Sequence, residues 1–351
     1  MKDNNKDKTL NVPHLRFPEF SGEWESRELQ SIAPNISSGK DKPNNEGTVV
    51  LYGSTGIMGH TTTESYKSEI VIVARVGANA GQLQLVNIPC GVTDNALVVN
   101  AKSWNKYVFY YLQYFNLNKL VFGSGQPLIT GGMLKKIKIW AGNNVERNKI
   151  VHLLSLMEER IETQKKIIEK NESLIRGLCE KLTRQGVANK EINECLDCHT
   201  STLQESSVLD NGEYPVYGAT GVCGYTETYN VSDDGILIIK DGASVGMTYY
   251  ASGSYSHIGT LNRLTARKGF NLSYIYYCLK VMNFAPYKTG LAIPHIYFKD
   301  YGKHKICCPS YEQQSEIANL LKQIDDKIQV EKSLLERLDS QKRYMLNQLF
   351  I

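Results

Sequence analysis

One stretch of this 351-residue chain is written twice. Tyr52-Gly53-Ser54-Thr55-Gly56-Ile57-Met58-Gly59 returns 165 residues later as Tyr217-Gly218-Ala219-Thr220-Gly221-Val222-Cys223-Gly224. The same offset carries Arg75-Val76-Gly77-Ala78-Asn79-Ala80-Gly81 onto Lys240-Asp241-Gly242-Ala243-Ser244-Val245-Gly246. After a two-residue insertion the offset becomes 167, and it relates Tyr107 to Tyr274, Leu112 to Leu279, Pro127 to Pro294, Lys138-Ile139 to Lys305-Ile306 and Leu182 to Leu349. Such a chain folds as two copies of one unit, since its length exceeds what a single core usually serves. Two equivalent surfaces suit a duplicated or two-part target.

Composition narrows the class. At 42% hydrophobic and 22% charged residues the chain reads as soluble and globular. The opening residues are polar, so no secretory signal is expected, and no apolar run nears the ~18 residues of a membrane span. Eight cysteines in that setting predict reduced thiols and a cytoplasmic location. The net charge is only +4, with the basic excess in residues 1–185. A chain that binds DNA unaided is usually more basic, so a nucleic-acid partner would imply other subunits sharing the phosphate contacts.

Each copy shows a glycine-punctuated, strand-rich segment followed by a long helix. Ile70-Val71-Ile72-Val73-Ala74 and Ile236-Leu237-Ile238-Ile239 are buried-strand runs. Asn211-Gly212, Asp234-Gly235 and Asp241-Gly242 mark turns, and Tyr107–Phe115 and Tyr274–Leu279 read as short helices packed on a sheet. Asn143 with Glu146, and Ser310 with Gln313, have the spacing of an N-cap and its third residue; Gly186 follows the first long helix as a C-terminal stop.

Both long helices carry heptads. In the first the apolar stripe is Leu154, Met157, Ile161, Ile168, Ile175, Leu178 and Leu182, interrupted by Gln164 and Asn171. In the second it is Leu321, Ile324, Ile328, Leu335, Leu338, Met345 and Leu349, interrupted by Glu331 and Lys342. This predicts a coiled-coil seam whose polar members fix register. About 40 residues at 1.5 Å each carry the chain ~60 Å from the first globule to the second, and a return helix must run back. The predicted fold is therefore α+β, two tandem mixed α/β domains separated by two long helices in an antiparallel coiled coil, with pseudo-twofold symmetry. Residues 1–145 form the first domain, 146–185 the first helix, 186–311 the second domain and 312–351 the second helix. Pairing between helices of two chains is the alternative.

Several motifs admit catalytic readings. Gly-x-x-Gly-x-x-Gly at 53/56/59 and 218/221/224 is neither a dinucleotide fingerprint nor a P-loop, and reads as tight turns needing positive φ, or as backbone N–H groups near a phosphate. Gly242-Ala243-Ser244-Val245-Gly246 has the nucleophile-elbow spacing, but the repeat puts Asn79 at the serine position and a strand rather than a helix follows. A hydrolase using Ser244 stays as a minor alternative. Cys195-Leu196-Asp197-Cys198-His199 could be half of a zinc site, although no second ligand pair stands at a suitable spacing. The repeated polar set is amides, tyrosines and cations (Lys135, Lys136, Lys138, Arg263, Arg267, Lys268, Lys299 and Lys303 among them), which suits binding better than bond making.

The chain resembles the specificity subunits of type I restriction–modification systems. The resemblance is carried by Pro13-His14-Leu15-Arg16-Phe17-Pro18-Glu19-Phe20-Ser21-Gly22-Glu23-Trp24, by Val216–Gly221 with Leu237–Gly246, by Gly123-Ser124-Gly125-Gln126-Pro127-Leu128 and by Glu312–Ala318. It covers essentially the whole chain. The second copy departs from it, with no second Arg-Phe-Pro-x-Phe string and Gly290-Leu291-Ala292-Ile293-Pro294 in place of Gly125-Gln126-Pro127.

The resemblance implies two target-recognition domains, each reading half of a split, asymmetric site on double-stranded DNA. It implies no catalysis by this chain and no cofactor or metal bound to it. Modification subunits, two of them, would bind S-adenosylmethionine and methylate adenine N6; restriction subunits would add ATP- and Mg2+-dependent translocation and cleavage. The expected base-reading segments are 37–42, 52–56, 75–81 and 123–127 in the first copy and 217–221, 240–246 and 288–295 in the second. The expected DNA contacts are Lys40, Lys42, Tyr52, Ser54, Thr55, Arg75, Asn79, Gln126, Tyr217, Thr220, Lys240, Ser244, Lys288 and His295. The alternative of another class is a two-headed adaptor for a non-DNA target such as a surface glycan or phage component.

Overall fold

The computed structural model describes residues 11–120, 127–290 and 292–351. They fall into two compact units, Met1–Gln164 with Leu334–Ile351, and Lys165–Ser333. The first copy runs β1 (Glu25–Glu28), α1 (Leu29–Ile32), β2 (Ser37–Ser38), β3 (Val49–Gly53), β4 (Gly56–Thr61), β5 (Ile70–Ala74), β6 (Leu83–Val86), β7 (Cys90–Val92), β8 (Ala96–Val99), α2 (Asn105–Phe115), α3 (Gly131–Lys135), β9 (Lys138–Ala141) and the long α4 (Asn144–Thr183). The second repeats that order as β10 (Lys190–Glu191), α5 (Ile192–Cys195), β11 (Leu196–Thr200), β12 (Tyr214–Gly218), β13 (Gly221–Thr226), β14 (Gly235–Ile239), β15 (Thr248–Ala251), β16 (Ser256–His257), β17 (Leu261–Ala266), α6 (Leu272–Lys280), α7 (Phe298–Tyr301), β18 (Lys305–Ile306) and α8 (Tyr311–Leu349).

The sheets repeat as well. Each copy has a four-stranded antiparallel sheet, β2-β8-β5-β6 or β11-β17-β14-β15. Each also has a three-stranded one, β4-β3-β7 or β13-β12-β16, in which one pairing is parallel. The hydrophobic run of β5 is buried at every residue because both its faces are covered. Val71 and Val73 pack towards α2 with Tyr107 and Val108, while Ile70 and Ile72 pack with Cys90 and Val92 of the three-stranded sheet. In β14 the same alternation sends Ile236 and Ile238 to α6 and Leu237 and Ile239 to Tyr255. Asp234-Gly235 is less of a turn than its sequence predicts, since β14 starts at Gly235 itself.

The helix caps form as their spacing predicts. Glu146 N donates to Asn143 Oδ1 at 2.9 Å, Ser310 and Gln313 cap each other at 3.4 Å, and Gly186 has φ +106°. Every apolar residue of the two heptad stripes is buried or half-buried. In the first unit Ile150 and Leu154 pack with Leu346 and Leu349, and one turn on Glu158 accepts from Lys342 Nζ at 2.6 Å, so the two segments run antiparallel. In the second unit Lys332 bonds Glu172 at 2.6 Å, and Ile175 and Cys179 pack with Ile328 and Leu321, again antiparallel. Leu346 and Phe350, outside the predicted stripe, are buried too, because the end of this segment meets α2 as well as α4.

The Arg-Phe-Pro string is anchored by charge. Arg16 grips the buried Glu146 carboxylate through Nε (2.7 Å) and Nη2 (3.0 Å), and this bonding raises the guanidinium pKa above its ordinary value. Among the described residues no helix is long and apolar enough to cross a membrane.

Candidate nucleic-acid interface

In the first unit one carbonyl gathers two of the predicted segments. Asn95 O accepts from Arg75 N (3.0 Å) and from Ser54 Oγ (2.7 Å). Arg75 O then accepts from Ile129 N at 2.8 Å, and Gly77 N donates to Pro127 O at 3.1 Å. The β3–β4 hairpin, the turn after β5 and the segment entering α3 therefore share one edge of the unit. Gln84 Nε2 adds a bond to Gly53 O at 2.9 Å.

The hairpin is tight. Gly53 pairs with Gly56, leaving Ser54-Thr55 as a two-residue loop, and Gly56 sits at φ +114°. Gly218 and Gly221 repeat the arrangement around Ala219-Thr220, with Gly221 at φ +99°. The glycine spacing is thus explained by hairpin geometry. Lys40 and Lys42 are exposed on a segment tied to β7, where Asp41 N donates to Val92 O (3.0 Å) and Val92 N to Asp41 Oδ2 (2.8 Å). Gly39 allows that approach, because a Cβ there would lie 2.1 Å from Val92 O.

The second unit repeats the stitching. Lys240 N donates to Thr260 O (3.0 Å), Ile296 N to Lys240 O (3.0 Å) and Gly242 N to Pro294 O (2.9 Å). Thr260 is the repeat counterpart of Asn95. Tyr249 OH holds the hairpin through Ala219 O at 3.1 Å. Thr220 and Lys288 are exposed, and Lys240 and Ser244 are half-buried. Asn79 and Ser244 occupy equivalent turns, receiving Gln82 N (3.0 Å) and Met247 N (3.1 Å) on their carbonyls. Asn79 Oδ1 also accepts from Gln82 Nε2 at 3.0 Å. The strand expected after Ser244 is β15.

Tyr52 and Tyr217 are half-buried on the three-stranded sheets, and burial raises both phenol pKa values. Tyr52 packs on the cluster of Ile70, Ile72 and Cys90, and Tyr217 meets Tyr255 edge-on at 5.6 Å. Gln126 lies outside the described residues. Arg263, singled out among the cations, is buried and spent internally. Its Nε donates to Tyr255 OH at 3.1 Å and its Nη2 meets Asp233 at 2.7 Å, because it lies in β17, the strand next to β14. Arg267 is paired with Asp197 at 2.9 Å. Asn95 and Thr260 organise the edge without standing out in the sequence, where the repeat offset that relates them is the available signal.

Cys195 and Cys198 point to different surroundings. Cys195 Sγ lies 3.8 Å from Cys308 Sγ, whereas His199 Nε2 is bonded to Thr265 Oγ1 at 3.0 Å. Among the described residues no group of three or more His, Cys, Asp or Glu is placed to hold a metal ion.

His257 stands beside Tyr217 in the parallel pairing, where the first unit has Val92. It is 4% exposed, and burial, then Arg263, Lys240 and His199, push its pKa down to about 4. A depressed histidine pKa favours the fold above the unfolded value near 6.5, and the contribution is lost as pH falls towards 4. The second unit should lose about 3 kcal/mol over that window, at ~1.4 kcal/mol per pKa unit. Urea midpoints at pH 7 and pH 4.5 would measure it, and His257→Val should flatten the dependence.

A second duplicated feature lies away from this edge. The first unit has a cleft of ≈720 Å³ lined by Tyr111, Tyr114, Phe115, Lys138, Trp140 and Ile351 among others. The second has one of ≈460 Å³ whose lining includes their counterparts at offset 167, Cys278, Val281, Met282, Lys305, Cys307 and Arg184.

The type I restriction modification DNA specificity domain matches residues 21–172 and again 185–340. The specificity subunit of type I restriction enzyme EcoprrI from Escherichia coli is 26% identical over 112 residues, 32% of this chain and 28% of that one. The MjaVIII specificity subunit from Methanocaldococcus jannaschii is 28% identical over 122 residues, 34% and 29% of the two chains. The chain thus spans less than a third of the length of these relatives. The crystal structure of the type I restriction–modification S subunit from M. genitalium superposes with a TM-score of 0.70 at 20% identity, covering 97% of this chain and 99% of that one. A structure described as showing assembly and conformational transition of the type I restriction–modification system gives 0.53 at 16% identity, over 93% and 97%. At these identities the likeness is one of fold.

Proposed function

We propose that this chain, which belongs to the type I restriction–modification DNA specificity family, reads a two-part asymmetric DNA site, one part per unit, and directs adenine-N6 methylation and restriction by partner subunits. One observation carries the reading: the same backbone stitches gather different side chains in the two units. Arg75 stands against Lys240, Asn79 against Ser244 and Leu128 against His295 on equivalent scaffolds. A shared scaffold with altered polar tips is what two different half-sites require, since base edges are read by side-chain donors and acceptors while phosphates position the protein. The long helices α4 and α8 set the unread gap. Two modification subunits dock, one at each of the equivalent clefts, and supply S-adenosylmethionine; restriction subunits supply ATP and Mg2+. The modest net charge of +4 fits an assembly that shares its phosphate contacts.

The test is a map of N6-methyladenine in cells expressing the chain with its modification partner. A two-part motif with an unread gap supports the reading, and a contiguous motif or none sinks it. In the same assay Arg75→Ala should relax the first half-site alone, at a cost of about 1–3 kcal/mol for a good base contact. Equal relaxation of both halves would contradict one unit per half-site.

A further inference from the structure

The second unit holds a polar pair that the first replaces with hydrocarbon. Asp241 and His295 face each other across a β-bridge, with Oδ1 and Nδ1 2.5 Å apart. In the first unit Val76 and Leu128 form the corresponding bridge. The scaffold therefore closes without the charge, and folding alone does not call for the pair.

We propose that Asp241 is a positioning residue that fixes the ring of His295 so that its Nε2 reads one base of the second unit's half-site; this rests on the DNA-reading role above. The backbone of His295 is pinned by bonds to Thr289 in both directions (2.7 and 2.9 Å) and by the neighbouring Ile296 N to Lys240 O (3.0 Å). Gly290, at φ +89°, turns the small loop that returns to it. The two side chains are 37% and 33% exposed, so the pair lies at the surface rather than in the core. It adjoins Lys240, on the edge where the stitched segments meet.

The chemistry fixes the polarity. A carboxylate only accepts, so the shared proton sits on His295 Nδ1. With its one proton on Nδ1 the ring offers Nε2 as an acceptor, and no described residue bonds it. An outward acceptor fits an exposed amino group, which in the major groove is cytosine N4 or adenine N6. The second half-site should therefore carry an adenine or cytosine amino contact at the position His295 reaches.

Three variants in the methylation map test this. Asp241→Val with His295→Leu installs the first unit's pair, which this scaffold already accommodates, and should relax one base pair of the second half-site by about tenfold. His295→Ala should relax the same position. Asp241→Asn can donate to Nδ1, moving the ring proton to Nε2, and should shift the preference at that position towards an acceptor such as guanine O6 or N7. A purely structural role would weaken the whole half-site without changing base identity. The proposal is overturned if the double variant leaves the second half-site unchanged, or if Asp241→Asn weakens every position equally. Absence of a two-part motif with the wild-type chain would instead overturn the DNA reading beneath it.

Discussion

Phe350→Ala should cost the first unit about 3–5 kcal/mol, the usual range for emptying a buried phenylalanine site. The ring is 1% exposed and packs edge-on against Tyr107 and Tyr111, each at 5.4 Å, with Tyr114 at 5.7 Å. Tyr111 OH also donates to Ile351 O at 2.9 Å, so Phe350 and Ile351 together close the aromatic core. The second unit carries Thr183 at the equivalent position and should be unaffected. Urea unfolding followed by hydrogen exchange would show protection falling in α2 and β5 but not in α6 and β14; uniform loss would mean that the units do not unfold separately.

Arg16→Ala should be nearly as damaging, at about 3 kcal/mol, because it strands the Glu146 carboxylate, 1% exposed, without its counter-charge. It also frees Gly22 O, to which Arg16 Nη1 donates at 2.6 Å. Converting the pair to Arg16→Met with Glu146→Leu should recover part of the loss, since the penalty lies in the unpaired charge rather than in missing attraction. A double variant no better than Arg16→Ala would show that the loss lies in the missing Arg16 bonds and not in the unpaired charge. The second copy, without an Arg-Phe-Pro string, has the uncharged Gln313 at the position of Glu146, and it exchanges bonds with Ser310 at 3.4 Å.

These two sites mark where reading the chain stops. The repeat and its periodicities carried β5 and β14, α2 and α6, both caps and the apolar stripes of α4 and α8, because each is a local pattern whose cause lies within a few residues. The hairpin loops Ser54-Thr55 and Ala219-Thr220 were legible for the same reason. Contacts across long separations left no such trace. Arg16 and Glu146 are 130 residues apart and Tyr111 and Ile351 are 240 apart, and neither pair has a partner in the other copy to betray it. Arg263 counts among the binding cations by sequence but is buried, because its burial depends on which strand lies beside β17.

By itself the sequence determined that this protein is one unit used twice, with a long capped helix after each strand-rich segment, and it identified the family. Those features follow from offsets, turn residues and hydrophobic period, which are properties of neighbouring residues. The tertiary structure alone decided which side chains share an edge. Asn95 O had to be found between Ser54 and Arg75, and Asp241 against His295, because convergence of hydrogen-bond partners is set by how sheets pair and not by order along the chain. It also decided that the two copies, equal in scaffold, differ where Val76 and Leu128 in one become an oriented Asp–His pair in the other.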